Sequence, residues 1–538
     1  MPSLVTDNFR VFAAEQFIES LAEPFSDASN TQEADSSAKA QAYRSKIYLF
    51  IGRPQPWGAT TEVISGVQKG EKYYGVSGVS ELNPPTPNDS FDDMNEIYDD
   101  MIAMKRVTST DVSKVIKRNT WKTGIKYDMF KNDYAPGNLS VNGQSKLYDA
   151  QFYVINSNYQ VYKCIFNGES PTFQTGKVST VEPTGTTTSI FDTSDGYRWL
   201  YLFTINISDY IKFVSSDFIP VKTDNAVKTA SAARDGSIEQ LLIEQPGSTI
   251  TPGTYYCPII GDNDIGTASN KAIATIVVPN TGANAQKIDT ATLHQIGKGY
   301  TRAHVLLTAG YATAAAAIAR SGSTTSLSGS VKAIISPPGG HGSDTSLELG
   351  GYRVMINKSL DFLDGQGDIP VDCQFRRYGL VSDPVVAGAT TDLIDPHVTA
   401  CNAIKFPSNT TTSFTAGEII TQATTGAKGR VIHWDSTNKV VRYYQNEYID
   451  AVQAGTNTYQ EVAFSGANAV TGAASSTTLT PDTNHGTASS GIAASRWTNG
   501  YATSEVKKHS GTVIYTENRK AVNRSNDQIE DIKLVVEF

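Results

Sequence analysis

Apolar residues near the start of the chain repeat at helical spacing. After Asp7, the positions that recur three and four residues apart are Phe9, Phe12, Ala13, Gln16, Phe17 and Leu21. This spacing predicts an amphipathic helix with an acidic residue at its N-terminal end. We expect so short a helix to dock on another surface. The next segment, 23–41, is rich in Ser, Ala and Asp and poor in apolar residues, which predicts a mobile connection.

A strand and a proline-rich turn come next. From Lys46 to Ile51, Ile and Leu alternate with Tyr and Phe, which is typical of β-structure. Pro54 and Pro56 then stop the strand, because proline cannot donate to a sheet ladder. The sequence therefore predicts a rigid turn that exposes Trp57.

A second helix is predicted after a cluster of prolines. The segment Pro84–Asp89 holds three prolines and ends in Asn and Asp, a composition that suits the start of a helix. The apolar positions that then recur at helical spacing are Met94, Ile97, Met101 and Met104. We expect these methionines to fill a gap in the core.

From Tyr148 onward the pattern is that of short strands. Apolar runs occur at Phe152–Ile155, Gln160–Phe166 and Trp199–Ile205, separated by loops dense in Thr, Ser, Gly and Pro. Without helical crossovers between them, such runs favour antiparallel sandwiches or barrels over a doubly wound parallel sheet. The predicted fold is mainly β, with an antiparallel β-sandwich core and a few short helices.

Two regions rich in small residues interrupt this core. In the first, the segments that begin at Ile238 and Ile288 align at an offset of 50 residues. The alignment places Gln245 over Gln295, Gly247 over Gly297 and Thr251 over Thr301. Two copies of one β unit are therefore predicted. In the second region, the strand, turn and strand within Phe414–Tyr444 predict a hairpin module.

The predicted organisation is one core interrupted twice. A chain of 538 residues is too long for a single hydrophobic core. The predicted segments are 1–224 for the first part of the core, 225–335 for a β module with a two-fold internal repeat, 336–386 for the return to the core, 387–500 for a second β module, and 501–538 for the strands that close the core.

Composition narrows the classes of function. Asp and Glu outnumber Lys and Arg by 54 to 45, the wrong sign for tracking a phosphate backbone, so we expect no nucleic-acid partner. The wide spacing of Cys164, Cys257, Cys373 and Cys401 predicts free, buried thiols rather than a zinc site. No stretch approaches the roughly 20 apolar residues of a membrane helix, and the N-terminus lacks a secretory pattern. We expect no membrane partner and no cofactor.

Candidate catalytic motifs are weak. His509 stands beside Ser510, but sequence neighbours on a strand point to opposite faces. The segment 262–266 begins like a calcium loop, yet Ile273 stands where such a loop needs a glutamate, so a surface turn is expected. The run 337–342 is glycine-rich but lacks the lysine of a phosphate-binding loop. We expect its His341 to pack or form hydrogen bonds, and we predict that the chain is not an enzyme.

Aromatic and basic residues in predicted turns suit a subunit interface. Arg53 and Trp57 stand in the proline-rich turn, and Arg118 and Trp121 follow an apolar run. We expect these four residues at or near subunit contacts. The alternative is that the aromatic rings anchor loops onto their own core.

Five blocks of the sequence carry a family resemblance. In chain order they are Ile47–Trp57, Pro84–Trp121, the aromatic strands Val161–Cys164 and Asp195–Phe203, Asp368–Pro384, and His509–Phe538. Together they resemble the gene-eight family of baseplate wedge proteins in T-even and related contractile-tailed phages, and they span about half of the chain. The two small-residue regions depart from the T-even pattern and are similar to β modules in structural proteins of cyanobacterial phages.

The resemblance implies a structural subunit of the virion, assembled in the host cytoplasm. Such a subunit forms a homodimer, contacts other wedge proteins of the tail baseplate, and has no catalytic residue. It also implies that the C-terminal block, with His509, Tyr515 and Arg519, closes the core or the dimer seam. Two alternatives remain: a receptor-binding or tail-fibre-like adhesin, which is often trimeric, and a glycan-degrading enzyme, which needs two carboxylates about 5 to 10 Å apart.

Overall fold

The computed structural model describes residues 4–22, 46–58, 62–64, 67–69, 78–171, 176–262, 267–360, 370–445, 461–486, 497–525 and 528–538. Strands hold 38% of the chain and helices 13%, in several antiparallel sheets, so the predicted mainly β fold is confirmed. The predicted mobile connection, 23–41, lies outside the described residues. All four cysteines are buried and free, as predicted.

The strands are short and cover most of the described chain. Numbered β1 to β31 in chain order, they are Ile47–Gly52, Glu62–Ile64, Val67–Lys69, Met101–Arg106, Val112–Lys117, Tyr153–Ile155, Gln160–Phe166, Phe191–Asp192, Arg198–Thr204, Phe218–Pro220, Ile238–Gln245, Gly253–Gly261, Ala272–Val278, Thr290–Ile296, Ala303–Val305, Gly310–Tyr311, Thr324–Thr325, Ser330–Ile335, Arg353–Leu360, Cys373–Ser382, His397–Thr399, Asn402–Lys405, Ile419–Gln422, Ala427–Asp435, Val440–Tyr444, Val470–Gly472, Thr478–Leu479, Trp497–Thr498, Tyr501–Ala502, Thr512–Arg524 and Glu530–Glu537.

The helices are few. Those described, α1 to α6, are Asp7–Ala22, Phe91–Asp99, Ile207–Phe213, Asn225–Ser231, Ala314–Ala319 and Thr345–Leu349. Side chains cap their starts: Ser90 accepts from the Asp93 N–H at the start of α2, which satisfies a backbone donor that the helix leaves unpaired. Within the described ranges, no helix is both long enough and apolar enough to cross a membrane.

The first helix forms as predicted, but its apolar residues divide between two faces. Val11 and Ala14 are buried, whereas Phe9 and Phe12 are 60% and 55% exposed. Arg10 sets this orientation, because its guanidinium lies 3.9 Å above the ring of Tyr352. The expectation that Phe9 and Phe12 lie on the docked face of α1 is therefore wrong for this chain.

The predicted second helix is only partly correct. α2 ends at Asp99, and Met101 and Met104 lie in β4 instead. β4 pairs with β1 on one side and with β21 on the other. Hydrogen bonding on both edges outweighs the helical spacing of the methionines, because strand formation depends on the neighbours a segment meets.

The chain divides into two compact units. The first comprises 1–16, 113–355 and 535–538, and the second comprises 17–112 and 356–534. The chain passes from one unit to the other within α1, β5, β19 and β31. Neither unit is therefore a continuous stretch of sequence.

An aromatic core organises the first unit. Its four-stranded sheet has the order β6-β7-β9-β8, and β7 and β9 are the two central strands of the third resembling block. Trp199 of β9 stacks on Tyr197 with ring centroids 5.4 Å apart. Phe152 and Phe203 join this core, and each is at most 1% exposed.

The segment 238–335 of the first unit has a hydrophobic cluster of its own. That cluster takes all its buried members from Ile238 to Ile335. β14, β13 and β12 are consecutive in one sheet, and β11 pairs with β18. At the ends of β11 and β14, Gly247 and Gly297 adopt φ values of 69° and 64°. The two segments that align in sequence thus share a strand followed by a left-handed glycine.

A five-stranded sheet forms the centre of the second unit. Its order is β21-β4-β1-β20-β30, so β1 is central and all six of its residues are buried. Gly379 in β20 lies so close to β30 that a Cβ there would stand 2.1 Å from the carbonyl oxygen of Tyr515. Only glycine fits at this position.

The second small-residue region forms an eight-stranded sheet, also in the second unit. β23, β24 and β25 are consecutive and antiparallel, which confirms the predicted strand-turn-strand. The Asp435 carboxylate closes the turn by accepting from the N–H groups of Thr437 and Asn438, both at 2.9 Å. β21 lies within the predicted module 387–500 but pairs with β4. The sheets therefore place the start of this module at β22.

Candidate functional site

The turn after β1 leads into a buried ionic network of the second unit. The Arg53 N–H donates to the carbonyl of Asp100 at 3.1 Å. Arg53 adopts φ of 56°, a left-handed conformation that residues other than glycine rarely adopt. Its side chain is enclosed, and the residue is 2% exposed.

Two arginines and two carboxylates form the network. Arg53 Nη1 lies 3.3 Å from Glu96 Oε1 and 3.7 Å from Asp100 Oδ2. Arg377 Nη1 lies 3.1 Å from Asp100 Oδ1, and its Nη2 lies 3.9 Å from Glu96 Oε1. Glu96 and Asp100 are four residues apart at the end of α2, which places them on one face. Removal of one member of such a set leaves a buried charge uncompensated, at a cost of about 3–5 kcal/mol.

Trp57 covers this network and joins it to β30. Its ring lies 4.8 Å from the guanidinium carbon of Arg53 and 5.7 Å from that of Arg377. Its Nε1 donates to the carbonyl of Arg519 at 2.7 Å. Trp57 is only 3% exposed, so the prediction that the turn exposes it is wrong: the ring binds cations of its own chain. An interface role for Arg53 and Trp57 stays a prediction. Because both side chains are buried, they would contribute to a contact by fixing the conformation of this turn.

Glu81 holds the same turn from another side. It pairs with Arg376 Nε at 2.9 Å, and it accepts from the N–H groups of Trp57 (3.2 Å) and Ala521 (2.9 Å). Burial by itself raises the pKa of Glu81, but Arg376 and the two N–H groups bring the pKa below its ordinary value. Glu81 therefore stays ionised and links the proline-rich turn to β20 and β30.

Arg118 and Trp121 lie in the first unit, just after β5. Arg118 Nη1 donates to the carbonyl of Ser215 at 2.9 Å, and its Nε donates to Thr120 Oγ1 at 3.1 Å. Trp121 Nε1 donates to Ser179 Oγ at 3.1 Å. Both residues are half-buried, so each anchors a loop of its own unit and keeps part of its surface accessible. Their place at a subunit contact stays a prediction.

Two of the predicted C-terminal residues, Tyr515 and Arg519, lie on β30. Tyr515 and Tyr378 both donate to Glu517 Oε2, at 2.7 Å and 3.0 Å. Arg519 Nε lies 2.7 Å from Glu517 Oε1. Burial by itself raises the pKa of Glu517, but the tyrosine hydroxyls and Arg519 lower it. His509 is exposed just before this strand. Partly exposed rings and charges thus lie together along one strand.

A second buried network lies in the first unit, around Lys163 of β7. Lys163 Nζ lies 2.8 Å from Glu348 Oε2 and 2.7 Å from His341 Nδ1. Since an ammonium group only donates, His341 Nδ1 accepts, and the ring proton is on Nε2. That Nε2 faces Glu239 Oε2 at 3.4 Å. Burial and the charge of Lys163 lower the pKa of His341, which keeps the ring neutral.

The glycine-rich run 337–342 positions His341 in this network. Gly340 and Gly342 adopt φ values of 82° and 89°. A Cβ at Gly340 would stand 2.1 Å from the carbonyl oxygen of Ser231, so the loop packs too closely for any other residue. The prediction that His341 forms hydrogen bonds is confirmed. Across the part of the chain that the structure describes, no group of three or more His, Cys, Asp and Glu residues could hold a metal ion.

The remaining sequence motifs have structural partners. The Ser510 hydroxyl donates to the carbonyl of Lys507 at 2.6 Å and accepts from the N–H of Val385 at 3.0 Å. The Asp262 carboxylate accepts from the N–H of Thr301, which lies 39 residues further along the chain, at 3.0 Å; the surface turn itself stays a prediction. Residues 263–266 of the suspected calcium loop lie outside the described residues.

A groove of about 630 Å³ opens in the first unit beside β11 and β14. Apolar side chains such as Phe166, Leu241 and Leu293 line it together with charged ones. Arg198 in its wall pairs with Asp192 at 3.0 Å. The groove is thus a mixed apolar and polar surface, part of which belongs to the small-residue segment 238–335.

No family model matches the chain, and no curated protein is significantly similar to it.

Proposed function

We propose that this chain is a structural subunit of the baseplate wedge of a contractile phage tail. In this role it is a virion protein, assembled in the host cytoplasm, that forms a homodimer and joins neighbouring wedge proteins. The observation that carries the proposal is where the resembling blocks lie in the fold. β4, β1, β20 and β30 come from four different stretches of these blocks, and they are consecutive strands of one sheet.

The buried contacts of that sheet support the same proposal. Arg53, Trp57 and Glu96 come from the first two blocks, and Arg377 and Arg519 come from the last two. These residues meet in one ionic and aromatic cluster. Residues that preserve a common core are expected to lie far apart in sequence and to meet in the fold, and the residues of these blocks do so. A buried network of this kind also suits a permanent structural part, because opening it leaves charges without partners.

The test is the location of the chain in a virion. Baseplates are purified from a phage whose genome encodes this chain, separated from tail fibres, and analysed by quantitative mass spectrometry. We expect the chain in the baseplate fraction at a constant ratio to the other wedge proteins. Its presence in the fibre fraction alone, or its absence from the virion, would contradict the proposal.

A receptor-binding adhesin is the second candidate. The observation in its favour is the groove beside β11 and β14, since one wall belongs to the small-residue segment 238–335, and mixed apolar and polar clefts are the usual ligand sites. Solution mass separates the two candidates. The wedge proposal expects a dimer, whereas a stable trimer of the purified chain would favour the adhesin.

A further inference from the structure

β30, a strand of 13 residues, forms one edge of the five-stranded sheet. β30, Thr512–Arg524, pairs with β20 along one side, and no strand among the described residues pairs with its other side. Side chains cover part of that free edge: Trp57 bonds to the carbonyl of Arg519, and Glu81 to the N–H of Ala521. The segment Thr512–Thr516 has no such cover among the described residues.

The chemistry of this segment is that of a strand that adds to another strand. Its sequence, Thr-Val-Ile-Tyr-Thr, is β-branched and aromatic, with no charge and no proline. Natural edge strands are usually protected by charges, prolines or short length, because their unpaired N–H and C=O groups recruit other strands. Charged residues follow in β30 from Glu517 onward, and a β-bulge interrupts the ladder at Ile514, but Thr512–Thr516 itself has neither charge nor proline. This indicates that this part of the edge is covered in the functional assembly.

Ile514 marks the centre of the open segment. Tyr515 pairs with Leu380 and Val513 pairs with Val381, so Ile514 has no partner in β20. A residue of this kind in a β-bulge is left out of the ladder. Its apolar side chain is 46% exposed, although it lies in the middle of a strand.

We propose that Thr512–Thr516 is the seam at which a second copy of this chain pairs, antiparallel, across a two-fold axis at Ile514. The inference rests on the homodimer in the proposed function and locates its interface. The axis places Ile514 opposite Ile514 of the second copy, Val513 opposite Tyr515, and Thr512 opposite Thr516. Each is an apolar, aromatic or hydroxyl pair of the kind that stabilises antiparallel sheets.

Charge and symmetry favour a second copy as the occupant. The two-fold axis places Glu517 opposite Gly511, so the carboxylates of the two copies do not face each other. An edge that pairs with itself across a two-fold axis is fully used after two copies. Five paired residues bury less than the about 800 Å² per partner of a standard interface. The half-exposed cluster of Tyr515, Glu517 and Arg519 therefore flanks the seam and completes it.

A cysteine at the axis tests the seam directly. In the Ile514→Cys variant the two new thiols stand opposite each other, within the Cα separation of about 4.4–6.8 Å that a disulfide needs. The four native cysteines are buried and do not compete. We expect a disulfide-linked dimer on a non-reducing gel after mild oxidation. The matched control is Ile394→Cys, at a residue of the same unit that is 49% exposed, and we expect it to stay unlinked.

Light scattering of the Ile514→Lys variant completes the test. Two ammonium groups at the axis repel each other, so we expect the mass of this variant to fall from that of a dimer to that of a monomer. The control, Ile394→Lys, is expected to stay dimeric. Circular dichroism is expected to show that both variants are folded. If the dimer persists in Ile514→Lys and the Ile514→Cys variant forms no disulfide-linked dimer, the seam is overturned and the homodimer is left intact. A wild-type chain that is monomeric at every concentration overturns both the seam and the homodimer.

Discussion

Replacement of Lys163 by methionine tests whether the ionic network of the first unit is integral to its core. The ammonium group is fully buried, 2.8 Å from Glu348 and 2.7 Å from His341, and 4.0 Å from the centre of the Phe130 ring. Methionine keeps most of the length and apolar surface of lysine but removes the charge. The variant therefore isolates the electrostatic part of the contact.

The expected loss follows from the geometry. Without Lys163, the carboxylate of Glu348 keeps only His341 and the N–H of Gly342 as polar neighbours among the described residues. The carboxylate of Glu239 is also buried nearby. Removing one partner of a buried ion pair destabilises a fold by about 3–5 kcal/mol. That range corresponds to a rise of roughly 160- to 5,000-fold in the fraction of opened molecules.

Hydrogen exchange of the amides of β7 and β9 is the appropriate assay. A chain with more than one cooperative unit does not unfold in a single two-state transition, whereas exchange reports the opening of each segment separately. The control is Lys131→Met, since Lys131 is buried in the same unit but pairs at 2.9 Å with Glu169, whose side chain is 22% exposed. Water can solvate Glu169 after the change, so a smaller effect is expected. Equal protection in the wild type and in Lys163→Met would refute the reasoning.

Four further outcomes are expected. The pKa of His341 is lower in the folded unit than in the unfolded chain. Below about pH 6.5 the unfolded chain therefore binds a proton that the folded unit does not, and the free energy of unfolding is expected to fall as the pH drops further. Burial by itself raises the pKa of Glu348, but the charge of Lys163 outweighs this effect, and the pKa is lowered to about 2. Stability is therefore expected to fall again below about pH 4.5. Melting curves that do not change over pH 3–7 would contradict both statements. In the Gly379→Ala variant, the new Cβ would stand 2.1 Å from the carbonyl oxygen of Tyr515. Chemical denaturation is expected to show that the second unit is destabilised by about 1–3 kcal/mol or more. An unchanged denaturation midpoint would argue against this packing. Deletion of 402–502 with a short linker leaves β21 in place and is expected to keep the five-stranded sheet folded. Deletion of 387–500 removes β21 and is expected to lower the melting temperature. Equal melting temperatures of the two variants would show that β21 contributes nothing to stability.

Local sequence predicted the elements whose signals lie within a few residues. The strand before Pro54, the helix after Asp7, the turn at Asp435 and the mainly β class all follow from spacing, from proline chemistry or from Asx hydrogen bonds. Each depends on interactions that the residues make with their sequence neighbours.

The positions that sequence reasoning missed depend on partners far away along the chain. Met101 and Met104 have helical spacing, yet they lie in a strand because β1 and β21 bond to both of its edges. Trp57 was expected in solvent, but Arg53, Arg377 and the carbonyl of Arg519 enclose it. No local signal announces such contacts. The nearest hint in the sequence is that the proline-rich turn carries both an arginine and a tryptophan.

Sequence patterns alone predicted a mainly β protein that is poor in catalytic and metal-binding motifs and contains two segments rich in small residues. The tertiary structure decided which apolar face of α1 is buried, where each arginine finds its carboxylate, and which strand is left with an open edge. The physical reason is that periodicity and turn chemistry act over one or two turns of backbone. The burial of a charge, or the pairing of a strand, depends instead on which residues the whole fold brings together.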